Sequence, residues 1–192
     1  MENKSNKVLL TVIGAATLLV ALVGATFAYF SAQSTTTTKT VTTGSSSITL
    51  TASDNSVENI KPTTFSKEAA DDGSNTDIVK ITLSVSGSTT TSGTYDIAMN
   101  EPTITLQDDK TGGNVSDIKY AVYNGEDEVV AATSFTGTAT STPILSDIAY
   151  SSGTLSGTYD VYVWIENKNE AQDKLQDISF DLTFTADATT SL

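Results

Sequence analysis

The chain has 192 residues and contains neither cysteine nor histidine. The absence of cysteine excludes disulfides and lipid attachment through a thiol. Without either residue the chain cannot assemble a Ser-His-Asp or Cys-His catalytic site, and it offers no imidazole or thiolate ligand for zinc. These absences exclude the commonest nucleophilic hydrolases and the zinc enzymes that use such ligands.

Positive charge is also scarce, because arginine is absent and ten lysines face 23 acidic residues, for a net charge of -13. Nucleic acid binding needs a basic patch that neutralises phosphates. Adhesion to anionic lipid headgroups needs positive charge as well. We therefore expect no nucleic acid partner, and contact with a membrane only through the N-terminal segment.

The chain lacks glycine-rich phosphate-binding motifs of the GxGxxG or P-loop kind. One enzymatic alternative is a hydrolase that uses two carboxylates, but none of the acids forms a recognisable pair. The segment 71–77, Asp-Asp-Gly-Ser-Asn-Thr-Asp, is rich in oxygen ligands of the kind calcium binds, although its spacing differs from an EF-hand loop. We predict no enzyme, no catalytic residue and no cofactor, and we interpret 71–77 as an acidic surface loop, with calcium binding as the alternative.

The N-terminal segment has the pattern of an export signal. Lys4 and Lys7 precede an apolar stretch over 8–30, which predicts a hydrophobic signal helix. We therefore assign 1–28 to an export signal. The stretch is also long enough to span a bilayer, which takes about 20 apolar residues, so a retained membrane anchor is the alternative.

The end of the apolar stretch carries a candidate cleavage site. Thr26 and Ala28 are small residues at the -3 and -1 positions that a signal peptidase requires. Cleavage after Ala28 would leave Tyr29 as the first residue of the mature chain.

Residues 29–47 are rich in threonine and serine. Threonine favours extended backbone, but the segment has too little apolar surface to fold by itself. It is either a flexible tether or a strand that needs a partner sheet. In the second interpretation it is a donor strand, and Phe30, Ala32 and Val41, after Tyr29, are its main residues for burial.

From Ile48 to residue 192, hydrophobic and polar residues tend to alternate. This period of two is typical of antiparallel sheets that have one buried face and one solvent-exposed face. The segment 159–165 is apolar on both faces, which predicts a central strand. The pattern from Ile178 to Ala186 predicts one final strand, with Phe180 on its apolar face. Turn residues separate the runs, and only 68–72 could form a turn of helix. The fold class predicted for 48–192 is all-β, an antiparallel jelly-roll-like β-sandwich.

The pentapeptide Ser-Gly-Thr-Tyr-Asp occurs twice, at 92–96 and at 156–160. Each copy combines turn residues with strand residues. We interpret both as a turn followed by a strand, at the start of similar hairpins.

Three stretches carry a family resemblance: Gly-Ala-Thr-Phe-Ala-Tyr-Phe-Ser at 24–31, Tyr-Asp-Val-Tyr-Val-Trp-Ile at 159–165, and Ser-Phe-Asp-Leu-Thr-Phe-Thr-Ala at 179–186. They resemble the TasA/camelysin family of secreted biofilm-matrix proteins, which are processed by a signal peptidase of the SipW type. The resemblance implies a jelly-roll fold, secretion, and head-to-tail assembly into fibres by insertion of an N-terminal strand into the next copy. The metallopeptidase activity attached to camelysin is not expected here, because this chain has no histidine ligand.

The leading hypothesis is an exported structural protein of the extracellular matrix or cell surface that polymerises with itself. A membrane-tethered surface binding domain that stays monomeric is the alternative, and a secreted hydrolase is the third. Formation of filaments separates the first hypothesis from the other two.

Overall fold

The computed structural model describes residues 37–43 and 46–190. In this part strand is the main secondary structure, as the period-two pattern predicts. A short helix, α1 (Lys67–Asp71), and two 3-10 turns (Val115–Asp117 and Asp173–Leu175) interrupt the strands. The strands are β1 (Thr37–Thr43), β2 (Ser46–Ala52), β3 (Ser56–Glu58), β4 (Pro62–Thr63), β5 (Ile78–Thr89), β6 (Gly93–Glu101), β7 (Ile118–Asn124), β8 (Asp127–Ser134), β9 (Thr140–Tyr150), β10 (Gly153–Glu166), β11 (Ser179–Asp181) and β12 (Thr183–Thr190).

The strands form three sheets. The large sheet has the order β1-β2-β5-β10-β7-β8, and β4 pairs in parallel with the end of β10. A three-stranded sheet has the order β12-β6-β9, and β11 pairs with β3. Every pairing except that of β4 is antiparallel, so the all-β antiparallel prediction is confirmed.

The apolar faces of all three sheets share one hydrophobic core. Alternate residues of the strands, such as Ile81, Leu83 and Val85, are buried in this core, since successive side chains of a strand point to opposite faces. Burial of each large aliphatic side chain contributes roughly 1.5–3 kcal/mol. The core includes Ile48, Leu50, Ile81, Leu83, Val85, Ile97, Met99, Val161, Val163, Phe180 and Phe184.

Strand β10 is central, as predicted, because β5 and β7 pair with its two sides. Val161 and Val163 lie in the shared core, whereas Tyr162 and Trp164 are buried on the opposite face. A strap of residues 59–77, which includes β4 and α1, covers that face. Five aromatic residues in the C-terminal part of the chain are also buried, each at most 7% exposed: Tyr159, Tyr162, Trp164, Phe180 and Phe184.

The final strand is not continuous, contrary to the sequence prediction. It divides at Leu182, so that β11 pairs with β3 and β12 pairs with β6. The Leu182 N–H donates to the carbonyl of Asn55 (3.0 Å), and the Asn55 side-chain amide donates to the Leu182 carbonyl. Because these bonds occupy the backbone of Leu182, the chain passes at this residue from the two-stranded to the three-stranded sheet.

The repeated pentapeptide is also placed differently from the prediction. The first copy begins β6 after a turn, but the second lies inside β10 and starts no hairpin. Its role is packing: the buried hydroxyls of Tyr95 and Tyr159 are hydrogen-bonded at 2.9 Å, across the core between the two larger sheets. Gly157 leaves room for this pair, since a Cβ there would lie 3.1 Å from the Tyr95 hydroxyl.

The predictions of turns and of a short helix were more reliable than those made from the final alternating run and the repeated pentapeptide. One of the turn residues that separate the hydrophobic runs, Gly125, lies between β7 and β8 and has φ +60°, which glycine adopts without strain. The helical turn predicted over 68–72 is α1, one residue earlier. Its N-cap is Ser66, whose hydroxyl accepts a hydrogen bond from the Ala69 N–H.

Candidate functional site

The C-terminal part of the Thr/Ser-rich segment is a strand of the chain's own sheet. All seven residues of β1 pair with β2, from Thr37 opposite Ala52 to Thr43 opposite Ser46. Val41 lies opposite Ile48, and directly opposed residues share a face of the sheet. The other proposed positions, Tyr29, Phe30, Ala32 and the cleavage residues Thr26 and Ala28, lie outside the described residues.

Strand β1 lies at the edge of the large sheet, next to the three-stranded sheet. Both β1 and β2 lie close to β12, the edge of the three-stranded sheet. Along the side of β1 away from β2, no described strand forms a ladder. Such an edge presents backbone N–H and C=O groups that can pair with another chain.

The opposite side of the molecule, where β8 lies near β9, has irregular edges. The β7–β8 register shifts twice, and so does the β6–β9 register. Strand β9 also contains Pro143, which has no N–H to donate, and Asp147 at φ +55°. Bulges and prolines obstruct the addition of a further strand. By contrast, the β1–β2, β2–β5 and β6–β12 registers run without a shift. Within the two larger sheets, the regular edges are on the β1/β12 side.

The acidic segment 71–77 is held by its own contacts. Asp71 accepts hydrogen bonds from the Lys80 amine (2.7 Å), the Tyr162 hydroxyl (2.7 Å) and the Lys67 amine (2.9 Å). Burial by itself would raise the pKa of Asp71, but the hydrogen bonds from Lys80, Tyr162 and Lys67 outweigh it and hold that pKa well below its usual range. Asp71 therefore fastens the strap to the face of β5 and β10.

The other acids of the segment are also engaged. Asp72 accepts from the Ser74 N–H (2.8 Å), and Asp77 accepts from the Lys61 N–H (3.1 Å). The described residues contain no group of three or more acidic side chains arranged to hold a metal ion. These contacts favour the interpretation of 71–77 as a plain surface loop over a calcium site.

Under the strap lies a cluster of aromatic rings. Phe65 stacks on Trp164 with ring centroids 4.3 Å apart and meets the edge of Tyr162 at 5.8 Å. Lys67 lies over the ring of Tyr123, 5.9 Å from its centroid. Since Trp164 is only 4% exposed beneath Phe65, its ring face is not open for a sugar to stack on. The cluster fixes the strap.

Two carboxylates are buried in places that the sequence did not indicate. Asp117, 2% exposed, forms an ion pair with Lys168 (2.7 Å). Burial would raise the pKa of Asp117, but hydrogen bonds from Lys168, Asn114 and Gln172 lower it. Glu101, 4% exposed, accepts bonds from the Thr136 N–H and hydroxyl and from the Thr142 hydroxyl. Each acid is held by its own set of partners, with none in common, so both carboxylates are engaged in structural contacts.

A cleft of about 570 Å³ lies between the strap and the second 3-10 turn. Ile60 and Leu175, both buried, line its base, and Lys61 and Asp177 line its rim. Its lining is therefore mixed, with apolar side chains beside charged ones.

The edge formed by β1, with β2 behind it and β12 beside it, is therefore the best candidate for a functional surface. The pattern of 29–47 left a flexible tether and a strand as alternatives and identified no partner strand; the structure has a strand over 37–43. The signal was present: Gly44-Ser45 between two strand-forming runs is typical of a two-residue hairpin. Among the described residues, no helix has the length and apolarity needed to cross a membrane. In comparisons with known proteins, no family model matches this chain and no curated sequence matches it.

Proposed function

We propose that this chain is an exported structural protein whose copies join head to tail into extracellular fibres by exchange of the N-terminal strand. The observation that carries the proposal is the position of β1. It is a threonine-rich strand at a regular sheet edge, and it follows an apolar export segment in the sequence. The proposal includes a jelly-roll β-sandwich and kinship with the TasA/camelysin family, supported by the shared core of the sheets and by the residues that carry the resemblance.

Exchange requires that β1 of one copy pair with β2 of the next. The next copy offers the same β2, so the seven-residue register can be reproduced between chains. A main-chain ladder is the usual basis of strand addition. The contact joins two different surfaces, so it can repeat from copy to copy, and it gives open filaments where the rotation between copies does not close a ring.

The proposal places the mature protein in the extracellular matrix or at the cell surface, after removal of 1–28 by a signal peptidase of the SipW type. It assigns no catalysis to the chain. This is supported by the lack of histidine and cysteine in the sequence and by the structural engagement of Asp71, Asp117 and Glu101.

The alternative is a tethered domain that remains monomeric. The apolar stretch over 8–30 favours it, because that length would serve equally well as a retained anchor. In that case β1 would simply complete the sheet of its own chain.

Negative-stain microscopy and light scattering of the secreted protein test the proposal. The intact protein should form filaments, and deletion of 29–43 should abolish them. A sharper pair is Val41→Asp, at the register position opposite the buried Ile48, against Thr42→Asp, opposite the exposed Ser47. Only Val41→Asp should block assembly, because a carboxylate opposite a buried residue of β2 opposes pairing of the two strands. If the deletion leaves the same filaments, exchange through this segment is wrong, and if no form assembles, the tethered domain is the better interpretation.

A further inference from the structure

We infer that pairing of β1 with β2 within one chain keeps the monomer closed, so that a copy can accept a neighbour only after its own β1 has left. This inference concerns the regulation of assembly, and it rests on the proposed function. It makes β1 an inhibitor of assembly in the monomer and the joining strand in the fibre.

The argument starts from the two sides of β2. On one side, Ser47 to Ala52 pair with β5, from Ser47 opposite Ser88 to Ala52 opposite Leu83. On the other side, the whole of β2 pairs with β1. Both edges of β2 are occupied, so the position that an incoming strand would take is already filled in the monomer.

The other side of the molecule does not provide a substitute. Strands β8 and β9 have shifted registers, and Pro143 interrupts the donors of β9. A regular ladder of seven pairs, such as β1 forms with β2, requires an edge without such breaks. A strand could also add to the outer edge of β1 or to β12, but the β1–β2 register can be reproduced only at the edge of β2, which is where exchange occurs.

Competition between the two pairings sets the conditions for assembly. Only two residues separate β1 from β2 in the sequence, so the intramolecular strand is present at an effective concentration of at least about millimolar. The β1–β2 ladder within one chain and the ladder between two chains have the same register. An incoming strand therefore gains little free energy from main-chain hydrogen bonds when it replaces the chain's own β1. Closed monomers should therefore persist in dilute solution, and the growth rate should level off at the rate of β1 release as monomer concentration rises.

A disulfide that holds β1 on β2 tests the inference. Thr42 and Ser47 are directly opposed, and opposed residues of antiparallel strands have Cα atoms about 4.5–5.5 Å apart, within disulfide range. The chain has no cysteine, so Thr42→Cys with Ser47→Cys creates a single pair. The matched control is Ser86→Cys with Ser156→Cys. These two exposed residues lie directly opposite each other on β5 and β10, and exchange does not separate these two strands.

The secreted variants are oxidised before or after assembly and studied by microscopy and non-reducing gels. Oxidation before assembly should abolish filaments of the Thr42/Ser47 variant, and a reducing agent should restore them, whereas the control should assemble in both states. Oxidation after assembly should link successive copies by disulfides, because the cysteine at 42 then lies opposite the cysteine at 47 of another chain. Non-reducing gels should therefore show a series of covalent oligomers. If the first pair does not fold, Thr40→Cys with Thr49→Cys offers a second opposed pair.

The outcomes separate the two proposals. If the locked variant forms filaments as fast as its reduced form, or if assembled filaments yield only monomers after oxidation, the inference is overturned while fibre formation stands. If unmodified protein forms no filaments under any condition, the proposed function fails and the inference fails with it.

Discussion

Replacement of Phe180 should cost the folded domain a large part of its stability. Phe180 is 7% exposed on the short strand β11, opposite Val57 of β3. Its ring meets the edge of Phe135 with centroids 5.7 Å apart, and Phe135 in turn meets Tyr120 at 5.3 Å. Truncation therefore removes the ring at one end of this aromatic row and leaves a cavity beside Phe135.

The magnitude follows from these contacts. A buried Phe→Ala change costs about 3–5 kcal/mol, of which the ring pair with Phe135 accounts for roughly 0.5–1.5 kcal/mol. For a domain of this size each kcal/mol lowers the melting temperature by about 2–4 °C, so Phe180→Ala should lower it by about 6–20 °C. Phe180→Asp adds the desolvation of an unpaired carboxylate, and the sum approaches the typical total of about 5–15 kcal/mol.

Thermal and urea unfolding followed by circular dichroism measure the effect. The matched control is Thr183→Asp, which adds the same charge at an exposed position of β12, opposite Asn100 of β6. Surface changes of this kind are usually worth about 0.5 kcal/mol or less. An unchanged melting temperature for Phe180→Ala, or equal damage from Thr183→Asp, would refute the assignment of faces in this part of the chain.

Three further predictions follow from other parts of the chain. Because the pKa of Asp71 is lower in the folded chain than in the unfolded one, its carboxylate stabilises the fold at neutral pH, and this contribution is lost as pH falls below about 4. The emission of Trp164, the only tryptophan, should therefore shift to the red in acid, and Asp71→Asn should show part of that shift already at pH 7. Intact-mass analysis of secreted protein should show cleavage after Ala28; recovery of the uncut chain only in membranes would favour the retained anchor. Gly93→Ala should lower the free energy of unfolding by about 1–3 kcal/mol, since its Cβ would collide with the Thr189 carbonyl, and an unchanged urea midpoint would contradict this.

The sequence predicted best what depends on neighbouring residues. Alternation such as Ile81, Leu83 and Val85 identifies the inner face, because a strand reverses its side chains at every residue. Central burial of 159–165 was predictable for the same reason, since a strand covered on both faces cannot alternate. These signals are local and need no knowledge of which strand lies alongside.

What the sequence could not predict depends on distant partners. The break at Leu182 arises from Asn55, 127 residues away, and a run that alternates without interruption gives no sign of it. The meeting of Tyr95 with Tyr159 depends on which sheets face each other. In the candidate site, the strand over 37–43 was foreseeable, but its neighbour β12 comes from the other end of the described chain.

The passage of the chain through Leu182 has a mechanical consequence. A single run of backbone belongs to the two-stranded sheet up to Asp181 and to the three-stranded sheet from Thr183 onward. The layers cannot slide past one another without breaking the bonds between Asn55 and Leu182, both buried, and the covalent chain transmits any load between them. Under tension these two sheets should therefore resist shear as one block.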